Sequence, residues 1–210
     1  MKTKYHEQEA HILGIGRHRI GIDGKGVTTL VAFHGCTLYC QYCLNPQCHD
    51  PHYLCRMMTP YELCDELMVD DLYFQATDGG VCFGGGEPLL HSDFINAFRQ
   101  VAPKAWHITL ETSLHVDRQK VETILPCVNH FMVDIKDTSP SIYHRYTCGD
   151  VNQAIDNLRW LIQQGVADRI TVRLPLIPNY NTKYDVARSH ELLETMGITH
   201  IEEFEYIEKK

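Results

Sequence analysis

Residues 26–45 read GVTTLVAFHGCTLYCQYCLN, an apolar run that passes directly into three cysteines. Thr29–Phe33 has the β-branched and aromatic make-up of a strand, and Cys36, Cys40 and Cys43 follow it at the spacing CxxxCxxC, all within eight residues. A strand that delivers its reactive groups to the loop at its C-terminal end is the plan of parallel βα architectures. The number of cysteines matters as well. A structural zinc site takes four ligands and closes its shell, whereas a cluster held by three thiolates leaves one iron open to something that reacts.

The pattern repeats along the chain. Five further apolar strands are expected near Val81–Phe83, His107–Glu111, His130–Ile135, Ile170–Leu174 and Ile201–Tyr206, most of them separated by helical periodicity. Thr59, Pro60 and Glu62 form a capping box with proline at the first helical position, ahead of an apolar face of Leu63, Cys64, Leu67 and Met68. Asp150 with Gln153 predicts a second box, Gly165 the stop of that helix, and Thr182 and Gly197 the bounds of the last one. The fold class expected is α/β, six βα units wound into an open, partial (β/α)6 barrel with its functional groups at the strand C-termini. A single domain over 1–210 is expected, with 1–28 a lead-in to the first strand.

The chain has 210 residues, enough for one sizeable core. Hydrophobic residues at 44% and charged residues at 22% are ordinary globular usage. No apolar run approaches the ~18 residues of a membrane span, and the polar N-terminus lacks the apolar stretch of a signal peptide, so a cytoplasmic location is expected. In such a reducing compartment nine cysteines point to metal or redox chemistry before disulfides. The net charge of −8 offers no basic patch for nucleic acid. The thirteen histidines show no HxxxH or HExxH spacing.

Three further segments carry chemistry. GGGEPLL at 84–90 follows the second expected strand. It has neither the end of a P-loop nor the spacing of a dinucleotide fingerprint. Its glycines let a ligand approach the backbone, and Glu87 suits an amino group. FMVDIKD at 131–137 puts Asp134 and Lys136 on one strand face and Val133 and Ile135 on the other. Arg173 shares a strand face with Thr171. Cys64, Cys82 and Cys127 read as small buried hydrophobes, Cys127 at the start of a strand. Cys48 and Cys55 lie in a long loop, where Cys48 would complete a zinc site if the metal were zinc.

CxxxCxxC with Tyr42 before its third cysteine, followed some forty residues later by GGEP, resembles the radical S-adenosylmethionine superfamily. The resemblance implies a 4Fe-4S cluster on Cys36, Cys40 and Cys43 whose fourth iron is chelated by S-adenosylmethionine. It extends over nearly the whole chain to the glycyl-radical-enzyme activases, typified by pyruvate formate-lyase activating enzyme, through GIDGKGVTTLVAFHGC, CLNP, FMVDIKD, YHRYTCGDVNQAIDNLRWL and VRLPLIPNYN. It implies cofactor contacts from Tyr42 to adenine, from Gly85, Gly86 and Glu87, and from Lys136 and Arg173, with Asp134 ordering the site. A monovalent cation on Glu111, Thr112, Met132 and Asp134 is a further implication, as are a glycyl radical enzyme as protein substrate and a flavodoxin or ferredoxin-type electron donor.

The sequence also departs from that pattern. Lys25 and Asn179 stand where the activases usually carry proline and glycine, and Cys148 where they commonly carry glycine. No ferredoxin-like insert follows Cys43, so one cluster is expected. Ile207 occupies the place of a cofactor-touching histidine, and the short tail after it suggests a more open mouth or another substrate. Two other readings stay open here: a small-molecule radical enzyme such as a 7-carboxy-7-deazaguanine synthase-like protein, and a non-catalytic iron–sulfur or zinc module.

Overall fold

The structure is a computed structural model and describes residues 8–206; Ile207 and the tail lie outside the described residues. Two compact units divide the chain, residues 8–36, 45–111 and 118–130 in the first and 37–44, 112–117 and 131–206 in the second.

The first unit carries β1 (Ala10–Ile20), β2 (Val27–Phe33), β3 (Arg56–Met58), α1 (Pro60–Leu67), α2 (Asp71–Thr77), β4 (Gly80–Gly85), α3 (Ser92–Val101), β5 (His107–Thr112) and α4 (Arg118–Ile124). Its strand order is β3-β1-β2-β4-β5. β2, β4 and β5 are parallel, with Val31 opposite Phe83 and Phe83 opposite Leu110. β1 is antiparallel to both β2 and β3. The expected lead-in therefore carries a strand of eleven residues. Gly14 and Gly16 blunt its alternation, and only Ala10 and Ile12 are buried, so pairing on both sides, not side-chain pattern, makes it a strand.

Local signals set the helices. The Thr59–Glu62 capping box forms in both directions, with Pro60 at the first helical position. Leu63, Cys64 and Leu67 are buried, but Met68 is exposed, because α1 ends at Leu67 and the chain tightens into a 3-10 turn. The core of this unit is aromatic: Phe33 stacks on Phe83 at 5.5 Å and Phe98 meets Phe83 edge-on at 5.3 Å. Cys127 precedes β6 in a turn instead of opening the strand; it is buried, and its thiol donates to Asn96 Oδ1 at 3.0 Å.

The second unit carries β6 (His130–Asp134), α5 (Pro140–Thr147), α6 (Val151–Gln163), β7 (Ile170–Leu176), α7 (Lys183–Thr195) and β8 (Ile201–Glu205). The three strands are parallel, with β7 in the middle. Asp150 caps α6 by accepting the Asn152 N–H at 2.9 Å, in place of the box expected with Gln153. Beyond α6, Gly165 takes φ +76°. Thr182 and Asp185 make a complete capping box for α7. Among the described residues no helix is long and apolar enough to cross a membrane.

Candidate active site

In the first unit, the end of β2 and the GGGEP turn are laced together by backbone. Gly86 N–H donates to Phe33 O at 2.9 Å and Glu87 N–H to Gly35 O at 2.8 Å. A Cβ on Gly86 would lie 2.0 Å from Gly35 O, and one on Gly85, where φ is +91°, 2.6 Å from the Ala32 side chain. These two glycines are required by the chain segment that leads into Cys36, before any ligand is considered. Asn45 adds a tie to Gly85 O at 3.2 Å. Glu87 does not sit at an open edge. Its side chain is buried and caps the next turn by accepting the Leu89 N–H at 3.2 Å.

In the second unit, β6 and β7 bring three charges together. Asp134 and Arg173 are register partners. Arg173 Nε donates to Asp134 Oδ1 at 2.7 Å, and Lys136 Nζ to Asp134 Oδ2 at 3.0 Å. All three side chains are half-buried. Burial pushes the Asp134 carboxyl up, but the two cations beside it outweigh that and hold it below its ordinary value. Burial likewise pulls the Lys136 ammonium down, while Asp134 and then Cys40 raise it past its ordinary value. Two cations thus flank Asp134, Lys136 just past the C-terminal end of β6 and Arg173 midway along β7, with Cys40 near Lys136.

The loop bearing Cys40 and Cys43 is held from several sides. Tyr39 and Gln41 N–H donate to the Thr147 and Tyr146 carbonyls at the end of α5, at 2.8 and 3.0 Å. Cys43 N–H closes a turn onto Cys40 O at 3.2 Å. Tyr42 belongs to a cluster absent from the sequence reading: its ring centroid lies 6.0, 5.6 and 6.2 Å from those of Tyr146, Tyr180 and Tyr206. Asn179 Nδ2 donates to the Tyr42 hydroxyl at 3.3 Å, and the Tyr206 hydroxyl donates to the Tyr42 carbonyl. These tyrosines are distant in sequence and follow no common motif, so only Tyr42, next to a cysteine, stood out.

Two departures from the activase pattern have a backbone explanation. Asn179 and Cys148 take φ of +65° and +60°, the left-handed region that glycine fills most easily and asparagine tolerates. Lys25 pairs with Asp78 at 2.8 Å on the surface. Cys64 and Cys82 are buried as expected. Cys48 is also buried, in a short 3-10 turn, and its carbonyl accepts the Gly35 N–H at 3.0 Å. Among the residues named for a cation, Glu111 lies over Gly84, where an added Cβ would meet its Oε2 at 2.9 Å. The Thr112 hydroxyl accepts the Leu114 N–H at 2.9 Å, Met132 is buried, and both Asp134 oxygens already accept from cations.

Residues 30–188 match the Radical SAM superfamily. The chain belongs to that superfamily. It is 33% identical over 162 residues to the (2S)-3-sulfopropanediol dehydratase activating enzyme of Klebsiella oxytoca, a match covering 75% of this chain and 49% of that protein. The chain thus spans about half the length of that relative. It is 26% identical over 180 residues to the pyruvate formate-lyase 1-activating enzyme of Escherichia coli (strain K12), covering 84% of this chain and 72% of the other. Among solved structures, SuiB of Streptococcus suis aligns with TM-score 0.61 at 11% identity, over 84% of this chain and 39% of that one. That likeness shows the α/β fold class of radical SAM enzymes expected from the strand pattern.

Membership implies a 4Fe-4S cluster and S-adenosylmethionine, and the chemistry of the residues fits both. Cys36, Cys40 and Cys43 are in no disulfide, each is half-buried, and soft thiolates suit iron–sulfur clusters. Among the described residues no three His, Cys, Asp or Glu side chains are grouped to hold a single metal ion. A cubane asks for no such convergence, since each thiolate binds a different iron. Lys136 and Arg173 suit a carboxylate such as that of S-adenosylmethionine.

Proposed function

We propose that the protein is a radical SAM activase, an oxidoreductase that generates a glycyl radical on a partner enzyme. The observation that carries this reading is Asp134, the last residue of β6, holding both Lys136 and the β7 residue Arg173, with Cys40 close enough to raise the Lys136 ammonium. In this reading Cys36, Cys40 and Cys43 hold the cluster, and Lys136 and Arg173 bind the S-adenosylmethionine carboxylate. Asp134 holds the two cations side by side and aimed. Tyr42 faces the adenine, and the Gly85–Gly86–Glu87 turn offers its backbone to the amino end. Held by these residues on a reduced cluster, S-adenosylmethionine would supply, for one electron and with release of methionine, a 5′-deoxyadenosyl radical able to take a hydrogen atom from a glycine. The monovalent cation is left outside the proposal, because Asp134 already serves two cations.

The names of the relatives support a protein substrate: both activating enzymes above are named for the enzymes they activate, and SuiB has been seen bound to a precursor peptide. A flavodoxin or ferredoxin-type donor would supply the electron, in an anaerobic cytoplasm. The test is anaerobic reconstitution followed by reduction with S-adenosylmethionine, with 5′-deoxyadenosine measured in the presence and absence of candidate partners. Cleavage together with an electron-spin doublet on a partner glycine is the expected result. Cleavage with a small molecule in place of a protein would replace the activase by a small-molecule enzyme. No cleavage under any condition would sink the enzymatic reading. Lys136→Met should weaken S-adenosylmethionine binding about tenfold, the worth of one charge-assisted hydrogen bond, with iron content unchanged.

A further inference from the structure

Tyr206 follows β8 directly and is placed by its own backbone, whose N–H donates to Leu176 O at 2.9 Å. Its hydroxyl reaches back across the sequence to the Tyr42 carbonyl, the peptide that precedes Cys43. That peptide's N–H in turn donates to the Cys40 carbonyl. The result is a chain of hydrogen bonds, Tyr206 O–H to Tyr42 C=O and Cys43 N–H to Cys40 C=O, running through the turn that carries two of the three cysteines. Bonds in such a series polarise and strengthen one another.

The surroundings suit a fixed tether. Tyr206 packs against Tyr42 at 6.2 Å and Tyr146 at 6.5 Å, and Tyr146 lies 5.0 Å from Tyr180. Arg145 covers the Tyr180 ring at 5.5 Å and donates to its carbonyl, pinning the far side of the cluster. Burial pushes the Tyr206 hydroxyl up, so it keeps its proton at neutral pH and remains a donor.

We propose that Tyr206 is a positioning residue for the cluster: its hydroxyl fixes the Tyr42–Cys43 peptide and so the placing of the Cys40 and Cys43 thiolates. Groups that hold metal ligands in place commonly govern how firmly the metal is retained. The proposal rests on the cluster assignment made above, and one of its tests does not.

Tyr206→Phe removes the hydroxyl and keeps the ring. In the chain without its cluster, Cys43 N–H should exchange with solvent about fivefold faster, the worth of one net hydrogen bond. The Tyr39 and Gln41 amides, held by α5, should be unchanged. In the reconstituted protein the variant should release iron to a chelator several-fold faster and show an altered electron-spin spectrum of the reduced cluster, with a melting temperature lowered by no more than about 4 °C. A folded Tyr206→Phe protein with unaltered Cys43 exchange overturns the proposal, as does wild-type iron retention. If that variant does not fold, the wild-type hydroxyl decides: a slowly exchanging Tyr206 hydroxyl proton by NMR supports the tether, and a rapidly exchanging one overturns it. A wild-type chain that takes up no iron would sink the proposed function, while the exchange measurement would still read the tether.

Discussion

Asp134 and Arg173 face each other across paired strands, and the same carboxylate also accepts from Lys136, so one acid holds two cations that would otherwise repel. Asp134→Asn leaves those cations uncompensated in a half-buried setting. Unfolding free energy should fall by about 3 kcal/mol. Adding Lys136→Met removes one side of the repulsion and should restore about 1 kcal/mol. Denaturant titration of the single and double variants reads the coupling; strictly additive losses would mean that Asp134 does not mediate between the two.

Two acids three positions apart should respond to pH in opposite directions. The Asp134 carboxyl is pushed up by burial but held below its ordinary value by its cations, so its stabilisation is complete above the unfolded value of about 3.9 and drains away as pH falls through the folded one. The Asp137 carboxyl is pushed up by burial, only partly offset by bonds from Ser139 N–H and Asn181 Nδ2. Its ionised form is disfavoured in the fold, so stability is lost as pH rises from about 3.9 through the folded value. Asp137→Asn should therefore abolish the loss of stability that accompanies a rise in pH above about 4, and Asp134→Asn should destabilise the protein at neutral pH and flatten the acid limb below about pH 4. Stability curves for both variants across that range check the signs.

Iron and sulfide content sorts the cysteines. Alanine at Cys36, Cys40 or Cys43 should abolish retention of a 4Fe-4S cluster after anaerobic reconstitution. Serine at exposed Cys148 should leave it intact. Alanine at buried Cys48 or Cys64 should reduce stability by about 1 kcal/mol and leave cluster content at the wild-type level. Loss of the cluster on replacing Cys48 alone would make it a ligand and reopen a four-thiolate site.

The glycines can be ranked by what surrounds them. Gly86→Ala would press a methyl group against Gly35 O, where the backbone has no freedom to retreat, and should cost about 3 kcal/mol or more. Gly14→Ala meets nothing within 4 Å and should be neutral or slightly stabilising. Thermal melts of the two variants test this. Equal stability would mean that the GGGEP turn is not laced to the Cys36 segment as described.

Much of the fold was legible because its causes are local. The capping box at Thr59 and the helix start at Thr182 act within one turn of helix, and strands such as β2, β4 and β7 are apolar runs bounded by turn residues. β1 escaped notice because its glycines dilute the alternation, and two long-range partners supply what its side chains do not. Glu87 has a local role that a reading as a partner for an amino group leaves out: its side chain also caps its own turn, which only the fold reveals.

By itself the sequence determined the chemistry available: three thiolates at CxxxCxxC, a glycine turn after one strand, an acid and a base two residues apart on another, and an arginine on a third. Spacing along a strand or loop is enough for that, since it sets side-chain direction within a few residues. Tertiary structure decided what those groups are engaged with. The register of β6 on β7 makes Asp134 shared property of Lys136 and Arg173, and the return of β8 brings Tyr206 to the peptide before Cys43. Contacts between residues 39 and 164 positions apart depend on chain closure and packing, which no local pattern encodes.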